Sequence, residues 1–234
     1  MSAQLVLDLH LRDGSSFDNF LAAANREALQ AVRAIAASER PAVMFVWGEV
    51  GSGRTHLLQA ACRALQQLER DAAYVPLAAA SELSPALLED REHAAIVCLD
   101  DVDAVAGDVA WETAVFALCE RVRAAGARLL AAGRAAPRNL GLQLPDLATR
   151  LAAGPVYQLQ PLTDDDKIEA IRLRARNRGL ELSEDVAHYI LRRFPRDMNS
   201  LFALLDRIDS LALSAQRRVT IPLIRALEPS RPGS

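Results

Sequence analysis

The chain has 234 residues, of which 51% are hydrophobic and 24% charged, and its formal net charge is −3. This balance is typical of a folded protein with one large domain and room for a small second one. A negative net charge disfavours a surface that neutralises many phosphates, so direct sequence-specific DNA binding is not expected. The cysteines, Cys62, Cys98 and Cys119, lack the spacing of a zinc site or a disulfide framework.

The first 14 residues form a short segment that we expect to be separate from the core. Residues 4–9 alternate in character, and the turn-forming residues Asp13, Gly14 and Ser15 follow them. Acidic residues stand where a signal peptide needs basic ones, and no run approaches the roughly 18 apolar residues of a membrane span. The sequence therefore predicts a cytoplasmic protein that makes no membrane contact.

A regular alternation of strands and helices is expected from residue 15 to residue 161. Apolar runs of strand length occur at residues 41–47, 72–77, 94–99 and 127–132, and helical periodicity at residues 25–38, 55–69 and 111–124. Strands that alternate with helices predict an α/β domain whose parallel sheet is covered by helices on both faces.

The pattern changes near Leu162, after which only helices are expected. They cover residues 164–178, 183–194, 198–215 and 221–227. Thr163 and Ser183 precede acidic first turns, as N-caps do, and Gly179 ends the first of these helices. Residues 162–228 are thus predicted to form a small helical domain, and residues 229–234 a disordered tail. Four arginines in the first helix are expected to face solvent for the most part: Arg172, Arg174, Arg176 and Arg178.

A glycine-rich loop lies between the first strand and the second helix. Residues 48–55, Gly-Glu-Val-Gly-Ser-Gly-Arg-Thr, match the spacing G-x-x-x-x-G-K-[ST], except that Arg54 replaces the lysine. Glycines let successive backbone N–H groups turn toward phosphate oxygens, and the helix start adds its positive dipole end. The candidate nucleotide contacts are Gly48, Val50, Gly51, Ser52, Gly53, Arg54, Thr55 and His56. A glycine turn that binds no ligand is the alternative.

Two acidic residues follow the strand at 94–99. An apolar strand that ends in an acid is the pattern that holds Mg²⁺ beside bound phosphates, so Asp100 and the Thr55 hydroxyl are the candidate Mg²⁺ ligands. Asp101 stands where many such ATPases have a glutamate base, and its side chain is one methylene shorter. The alternative is that the two acids only mark the end of a strand.

In this arrangement the chain resembles the AAA+ family, and more closely the ATP-binding domain of the bacterial replication initiator DnaA. The resemblance is carried by residues 16–20 with Asn25, the glycine loop, Asp100-Asp101, residues 144–150 and residues 196–201. It implies an AAA+ P-loop domain with a three-layer parallel sheet and a small C-terminal all-α lid. It also implies that Phe17, Phe20 and Asn25 contact or support the adenine base, although phenylalanines three residues apart are also common in a plain core.

The resemblance further assigns roles to three residues at the edges of the site. Arg150 corresponds to the family's arginine finger, which acts on ATP held by a neighbouring subunit, and Arg196 to the second sensor, which reaches the phosphates. Either arginine could instead be an ordinary charge at a helix end. Gly133 occupies the place of the first sensor but has no polar side chain. Because Arg54, Asp101 and Gly133 all depart from an efficient catalytic set, we expect this chain's own hydrolysis of ATP to be weak or absent.

The order of the segments is similar to that of the Hda family, which lacks the DNA-binding domain of DnaA. This resemblance implies a regulator that binds ADP or ATP, with Mg²⁺ as a companion ion, and inactivates DnaA by promoting hydrolysis of DnaA-bound ATP. It also implies tethering to the DNA polymerase III sliding clamp, through a peptide similar to residues 4–9 with Gln4, Leu5, Leu7 and Leu9 as contacts. A homodimer is compatible with this plan. The alternatives are a self-contained, clamp-loader-like or DNA-remodelling ATPase, and a P-loop kinase of a small molecule.

Overall fold

The computed structural model describes residues 15–215 and 219–227. The chain divides between Pro161 and Leu162 into two compact units. The expected clamp-binding segment at residues 1–14, with Gln4, Leu5, Leu7 and Leu9, lies outside the described residues, as does the expected tail at 229–234.

A parallel sheet organises the first unit. In the part of the chain that is described, its strands are β1 (Ala42–Trp47), β2 (Ala72–Pro76), β3 (Ile96–Asp100), β4 (Arg128–Gly133) and β5 (Val156–Gln158). Their order is β2-β3-β4-β1-β5, and every pairing is parallel. The carboxyl ends of all strands therefore share one edge, where ligands of open α/β sheets bind.

Helices cover the two faces of this sheet. They are α1 (Arg26–Ala37), α2 (Arg54–Gln66), α3 (Val109–Ala124) and α4 (Pro145–Leu151). Neighbouring strand residues alternate between the faces: Phe45 and Leu129 belong to the apolar cluster with α3 and α4, whereas Val46 and Leu130 belong to the cluster with α1 and α2. The expected three-layer α/β fold is thus confirmed.

Two short elements of the first unit have no counterpart among the sequence-based expectations. Helix α4 has seven residues and begins with a proline at its first turn, and β5 has three residues that are largely exposed. Neither is long enough to show a periodic apolar pattern. Between β2 and β3 the chain forms short 3₁₀ turns at Leu77–Glu82, Pro85–Leu88 and Arg91–His93.

The second unit is helical, as expected. It contains α5 (Asp164–Asn177), α6 (Glu184–Arg193), α7 (Met198–Ala215) and α8 (Ile221–Arg225). Thr163 caps α5 in a capping box: its hydroxyl accepts from the Asp166 N–H at 3.2 Å, and the Asp166 carboxylate accepts from the Thr163 N–H at 3.0 Å. Ser183 caps α6 by accepting from the Val186 N–H at 3.4 Å.

The expectation that Arg172, Arg174, Arg176 and Arg178 mostly face solvent is wrong. Arg174 is buried, and its guanidinium lies 4.2 Å from the centre of the Phe202 ring. Arg172 and Arg178 are half-buried, and Arg176 alone of the four is exposed. A long apolar stem and a weakly hydrated, planar head allow an arginine to pack against an aromatic ring.

Within residues 15–215 and 219–227, no helix combines the length and the apolar character that crossing a membrane requires. Cys62, Cys98 and Cys119 are buried free thiols.

Candidate functional site

The glycine loop lies at the carboxyl end of β1 and leads directly into α2. The Gly48 N–H donates to the Gly133 carbonyl at 3.3 Å, which ties the start of the loop to the end of β4. The Ser52 N–H donates to the Glu49 carbonyl at 3.1 Å and closes the turn. Gly53 is the N-cap of the 13-residue α2. The loop is therefore held at the N-terminus of a long helix, which is the arrangement that binds phosphates.

The backbone of this loop requires glycine at two of its positions. Gly53 has φ +98°, and a Cβ atom there would lie 2.7 Å from Cε2 of Phe20. A Cβ atom on Gly48 would lie 2.7 Å from the Leu159 carbonyl oxygen. Side chains at these positions would have to displace an aromatic ring or the backbone, so the glycines of the motif meet a steric demand of the fold.

Two buried polar atoms of the loop lack hydrogen-bond partners among the described residues. They are Oγ of Ser52 and Nη1 of Arg54. Buried donors without partners are costly, and they are rare in folded proteins. A phosphate group offers the acceptor oxygens that both atoms lack, so the residues present fit a bound phosphate.

The buried guanidinium of Arg54 pairs with two partly exposed acids after β3. Its Nη2 lies 3.1 Å from Oδ1 of Asp101, and its Nη1 lies 3.7 Å from Oδ1 of Asp103. Asp103 in turn accepts from the Arg134 backbone N–H at 2.9 Å and pairs with Nε of Arg134 at 3.1 Å. We call these four residues, Arg54, Asp101, Asp103 and Arg134, the ion cluster. Burial and the charge of Asp100 raise the pKa of Asp101, and Arg54 opposes this rise.

Asp100 is buried at the end of β3, with 1% of its surface exposed. The Tyr74 hydroxyl donates to its Oδ2 at 2.8 Å, and the Asp101 N–H donates to its Oδ1 at 3.0 Å. Burial, together with the charge of Asp100, raises the pKa of Tyr74 far above its ordinary value, so Tyr74 remains a donor. Thr55 is exposed in the first turn of α2. Carboxylate and hydroxyl oxygens suit Mg²⁺, and the assignment of both residues to this ion remains a prediction.

The residues expected on the adenine side have different surroundings. The Phe20 ring lies edge-on to the His56 ring, with centroids 5.4 Å apart, and Nε2 of His56 lies 2.9 Å from the Ser16 carbonyl. Phe17 instead packs beneath Arg33, whose Cζ is 5.3 Å from the ring centroid. The fold thus brings Phe20 and His56 to the loop and directs Phe17 toward α1.

Asn25 is buried, and its amide makes two hydrogen bonds with the backbone of Gln160. Its Nδ2 donates to the Gln160 carbonyl at 2.9 Å, and its Oδ1 accepts from the Gln160 N–H at 2.7 Å. This pairing suits a residue that supports the base site by joining two segments. Each amide atom already has a backbone partner in this arrangement.

Gly133, at the expected sensor position, is enclosed by side chains. A Cβ atom there would lie 2.9 Å from Cδ2 of Leu140 and 3.1 Å from Cζ of Phe45. A polar side chain at this position would therefore require the apolar neighbours to move. The lack of a side chain at Gly133 is consistent with the close packing at the carboxyl end of β4.

Arg150 lies in the last turn of α4 and is paired with α3. Its Nε is 2.6 Å from Oε1 of Glu120, and its side chain is 41% exposed. Glu120 also accepts from Nη2 of Arg123 at 2.8 Å. The loop before α4 is fixed by Glu112, a buried carboxylate of α3 that accepts backbone N–H groups from Gly107 (2.7 Å), Gln143 (3.0 Å) and Leu144 (2.7 Å).

Arg196 belongs to the second unit, between α6 and α7. Its Nη1 donates to Oδ2 of Asp164 at 2.9 Å, at the start of α5. This contact lies within the helical unit, and a contact with nucleotide phosphates remains a prediction.

Sequence reasoning missed several residues of the site. Asp103 lies two residues after Asp101 and Arg134 lies directly after Gly133, and their charge close to the motifs is a usable signal. Tyr74 gives no such signal, because the sequence does not reveal that β2 pairs with β3 and places Tyr74 opposite Cys98, two residues before Asp100. Glu120 gives no signal in the sequence either, since its contact with Arg150 depends on how α4 packs on α3.

The sheet order, the glycine loop after β1 and the helical second unit define the AAA+ class of P-loop proteins. The bacterial DnaA ATPase domain family matches residues 11–158, and the Hda lid domain matches residues 164–227. The chain therefore belongs to the bacterial DnaA ATPase family, and its lid is of the Hda type.

Solved structures show the same fold at low sequence identity. Domain III of DnaA from Thermotoga maritima is 20% identical, with a TM-score of 0.69, over 89% of this chain and 93% of that one. DnaA from Aquifex aeolicus, solved with AMPPCP bound, is 22% identical, with a TM-score of 0.66, over 85% of this chain and 66% of that one. The RuvB Holliday junction branch migration motor of Thermotoga maritima is 15% identical, with a TM-score of 0.56, over 79% of this chain and 60% of that one.

Proposed function

We propose that this chain is a cytoplasmic regulator that binds an adenine nucleotide, preferentially ADP, and presents Arg150 to ATP held by DnaA. Its activity is to promote hydrolysis in that partner together with the DNA-loaded sliding clamp, and so to limit re-initiation of chromosome replication. The contrast between two arginines carries the proposal. Arg54 of the phosphate loop is paired with carboxylates, and Gly133 supplies no sensor side chain, so the loop is suited to binding and not to turnover. Arg150, in contrast, is half-exposed on a separate helix.

Nucleotide binding is supported by the loop itself. Oγ of Ser52 and Nη1 of Arg54, which lack hydrogen-bond partners among the described residues, can donate to phosphate, and the N-terminus of α2 adds its dipole. The DnaA of Aquifex aeolicus was solved with the ATP analogue AMPPCP, which supports an adenine nucleotide as the ligand. In this proposal Thr55 and Asp100 would hold Mg²⁺, which neutralises phosphate charge when bound.

The role of Arg150 follows from its chemistry and its accessibility. A guanidinium can contact two oxygens of a transferring phosphoryl group and stabilise the charge that develops there. Such a group, supplied by a neighbouring molecule, accelerates hydrolysis by about 10³ to 10⁵. Glu120 holds Arg150 through a single ion pair at a partly exposed site, and such pairs contribute little stability, so they can be exchanged for a phosphate.

Hydrolysis of DnaA-bound ATP in the presence of DNA-loaded clamp tests this role. We expect Arg150→Ala to abolish the stimulation, whereas Arg138→Ala, which removes an exposed arginine from the turn that precedes α4, should retain it. Equal stimulation by wild type and Arg150→Ala would show that the finger assignment is wrong. Steady ATP turnover by the purified protein alone, lost in Asp100→Ala, would instead favour a self-contained ATPase.

The tethering step requires its own measurement, because residues 1–14 lie outside the described structure. We expect deletion of residues 1–10 to abolish binding to the sliding clamp. Substitution of Gln4 or Leu7 by alanine should weaken it strongly, and Val6→Ala should weaken it less. Unchanged clamp affinity after the deletion would place the tether elsewhere in the chain.

A further inference from the structure

We propose that Asp101 sets the nucleotide affinity of the phosphate loop, because its carboxylate holds Arg54 and has to be displaced when phosphate binds. The inference rests on the proposed nucleotide binding and adds a residue that controls its strength. Asp101 would otherwise be assigned only the place of a catalytic base.

The position of Arg54 gives its guanidinium two competing sets of partners. Arg54 is the first residue of α2, directly after Gly53, so its backbone belongs to the phosphate loop. Its side chain is 7% exposed, and Nη2 lies 3.1 Å from Oδ1 of Asp101. The Asp101 side chain is 26% exposed, and attraction between two charges is stronger when one of them is shielded from water than when both are exposed. The Asp101 carboxylate therefore competes with any phosphate oxygen that approaches Arg54.

Asp101 is the principal partner of Arg54 within the ion cluster. Asp103 lies farther from Arg54, at 3.7 Å, and is already engaged twice by Arg134 through the backbone N–H and Nε. Asp100 receives its donors from Tyr74 and from the Asp101 N–H. Removing the charge of Asp101 would thus leave Arg54 with one distant carboxylate and make its guanidinium available to a phosphate.

The arginine in the motif and the aspartate after β3 therefore form a matched pair. A guanidinium presents donors in a planar fork, and here its two terminal nitrogens face two different carboxylates, Asp101 and Asp103. The compact ammonium of a lysine would be less able to span both acids. Replacement of the usual lysine by Arg54 thus has a structural counterpart in Asp101.

The backbone conformation at Asp101 allows asparagine to replace aspartate without added strain. Asp101 has φ 52° and ψ 51°, in the left-handed region, which asparagine tolerates as well as aspartate does. Asp101→Asn therefore removes the charge and keeps a residue suited to this turn. A thermal melt of the variant checks that the fold is retained. Glu49→Gln is the matched control, because it removes one exposed negative charge from the glycine loop itself, and the ion pairs of Arg54 among the described residues are with Asp101 and Asp103.

The test is ADP affinity, measured by calorimetry in EDTA so that Mg²⁺ ligation does not contribute. We expect Asp101→Asn to bind ADP about tenfold more tightly than wild type, and Glu49→Gln to change the affinity much less. When Arg54 is replaced by alanine, Asp101→Asn should raise the ADP affinity no more than the Glu49→Gln control does, because Asp101 then has no guanidinium to hold.

Two results would overturn the inference while leaving nucleotide binding intact. One is an affinity of Asp101→Asn no greater than that of Glu49→Gln, and the other is an equal gain with and without Arg54. If wild type and every variant bind no ADP at millimolar concentration, the nucleotide-binding function itself is wrong and the inference falls with it.

Discussion

The side-chain amide of Asn25 pairs with the backbone of Gln160 through two hydrogen bonds, although 135 residues separate them in the chain. The pair joins the segment that carries Phe20 to the segment that follows β5. Since Phe20 limits the space beside Gly53, the pair positions one wall of the candidate nucleotide site. Its strength depends on an amide, which offers a donor to the Gln160 carbonyl and an acceptor to the Gln160 N–H.

We predict that Asn25→Asp lowers the free energy of unfolding by about 2 to 3 kcal/mol. The substitution replaces the Nδ2 donor by an oxygen that faces the Gln160 carbonyl, so a buried carboxylate retains only the Gln160 N–H as its donor. Urea denaturation at pH 7 measures the loss. Asn139→Asp makes the same chemical change at an exposed residue and should have little effect. Similar losses in both variants would mean that the Gln160 contact is not important.

A second prediction concerns Gly53, where backbone strain and a close contact coincide. Gly53→Ala places a Cβ atom at φ +98° and 2.7 Å from the Phe20 ring. We expect the ADP affinity to fall at least about tenfold, since the loop has to shift away from its phosphate-binding shape. The measurement is calorimetric titration with ADP.

Gly141→Ala is the matched control for this prediction. Gly141 also has a positive φ, +76°, but nothing lies within 4 Å of its Cβ position. It should lose about 1 kcal/mol of stability from backbone strain and retain the wild-type affinity. If both variants bind ADP equally well, the contact with Phe20 does not govern the loop.

The fold was predictable from the sequence where apolar patterns were long. The strands β1, β3 and β4 coincide with continuous apolar runs and the helices α2, α5 and α7 with helical patterns, and the glycine motif places the loop between β1 and α2. Helix α4 and strand β5 were not predictable, because each depends on contacts made by other elements. Arg174 was expected at the surface because arginines at alternate positions are spread around a helix, and the sequence does not reveal that the guanidinium packs against Phe202.

The sequence allowed the residues of the candidate site to be predicted, but not the contacts between them. The motif identified Arg54 and Asp101, but not that they face each other, because that contact depends on the parallel pairing of β3 with β4 and of β4 with β1. The role of Asn25 was predicted as contact with or support of the base, and the contact with Gln160 suits support. Nothing in the sequence indicated Tyr74 as the partner of Asp100.

A third prediction concerns the proposed role of Asp100 with Mg²⁺. Asp100→Asn keeps an oxygen for the Asp101 N–H, and the Tyr74 hydroxyl can accept from the new amide, so the fold should be retained. We expect Mg²⁺ to tighten ADP binding in wild type and to have no effect on this variant. Titrations with ADP in Mg²⁺ and in EDTA provide the comparison. Asp146→Asn changes an exposed aspartate on α4 and is the control, since its ADP affinity should rise with Mg²⁺ as that of wild type does. An equal rise for Asp100→Asn would show that Asp100 does not bind Mg²⁺.

The fourth prediction is a pH-dependent loss of stability at Glu112. Burial acts to raise the pKa of this carboxyl, but the N–H donors of Gln143, Gly107 and Leu144 outweigh it and hold the pKa below the ordinary value of 4.5. A carboxyl with a lowered pKa in the folded state stabilises that state above the unfolded pKa, and this contribution is lost as the pH falls through the folded value. The contribution is thus complete at pH 7.

Glu112→Gln removes this contribution, because its amide nitrogen would face backbone donors. We expect a loss of about 1 to 3 kcal/mol in the free energy of unfolding at pH 7. The difference from wild type should stay constant down to about pH 4.5 and shrink at lower pH. Urea denaturation across this range measures it, with Glu89→Gln as the control at an exposed glutamate. A difference that does not depend on pH would show that packing, and not the charge of Glu112, fixes the loop before α4.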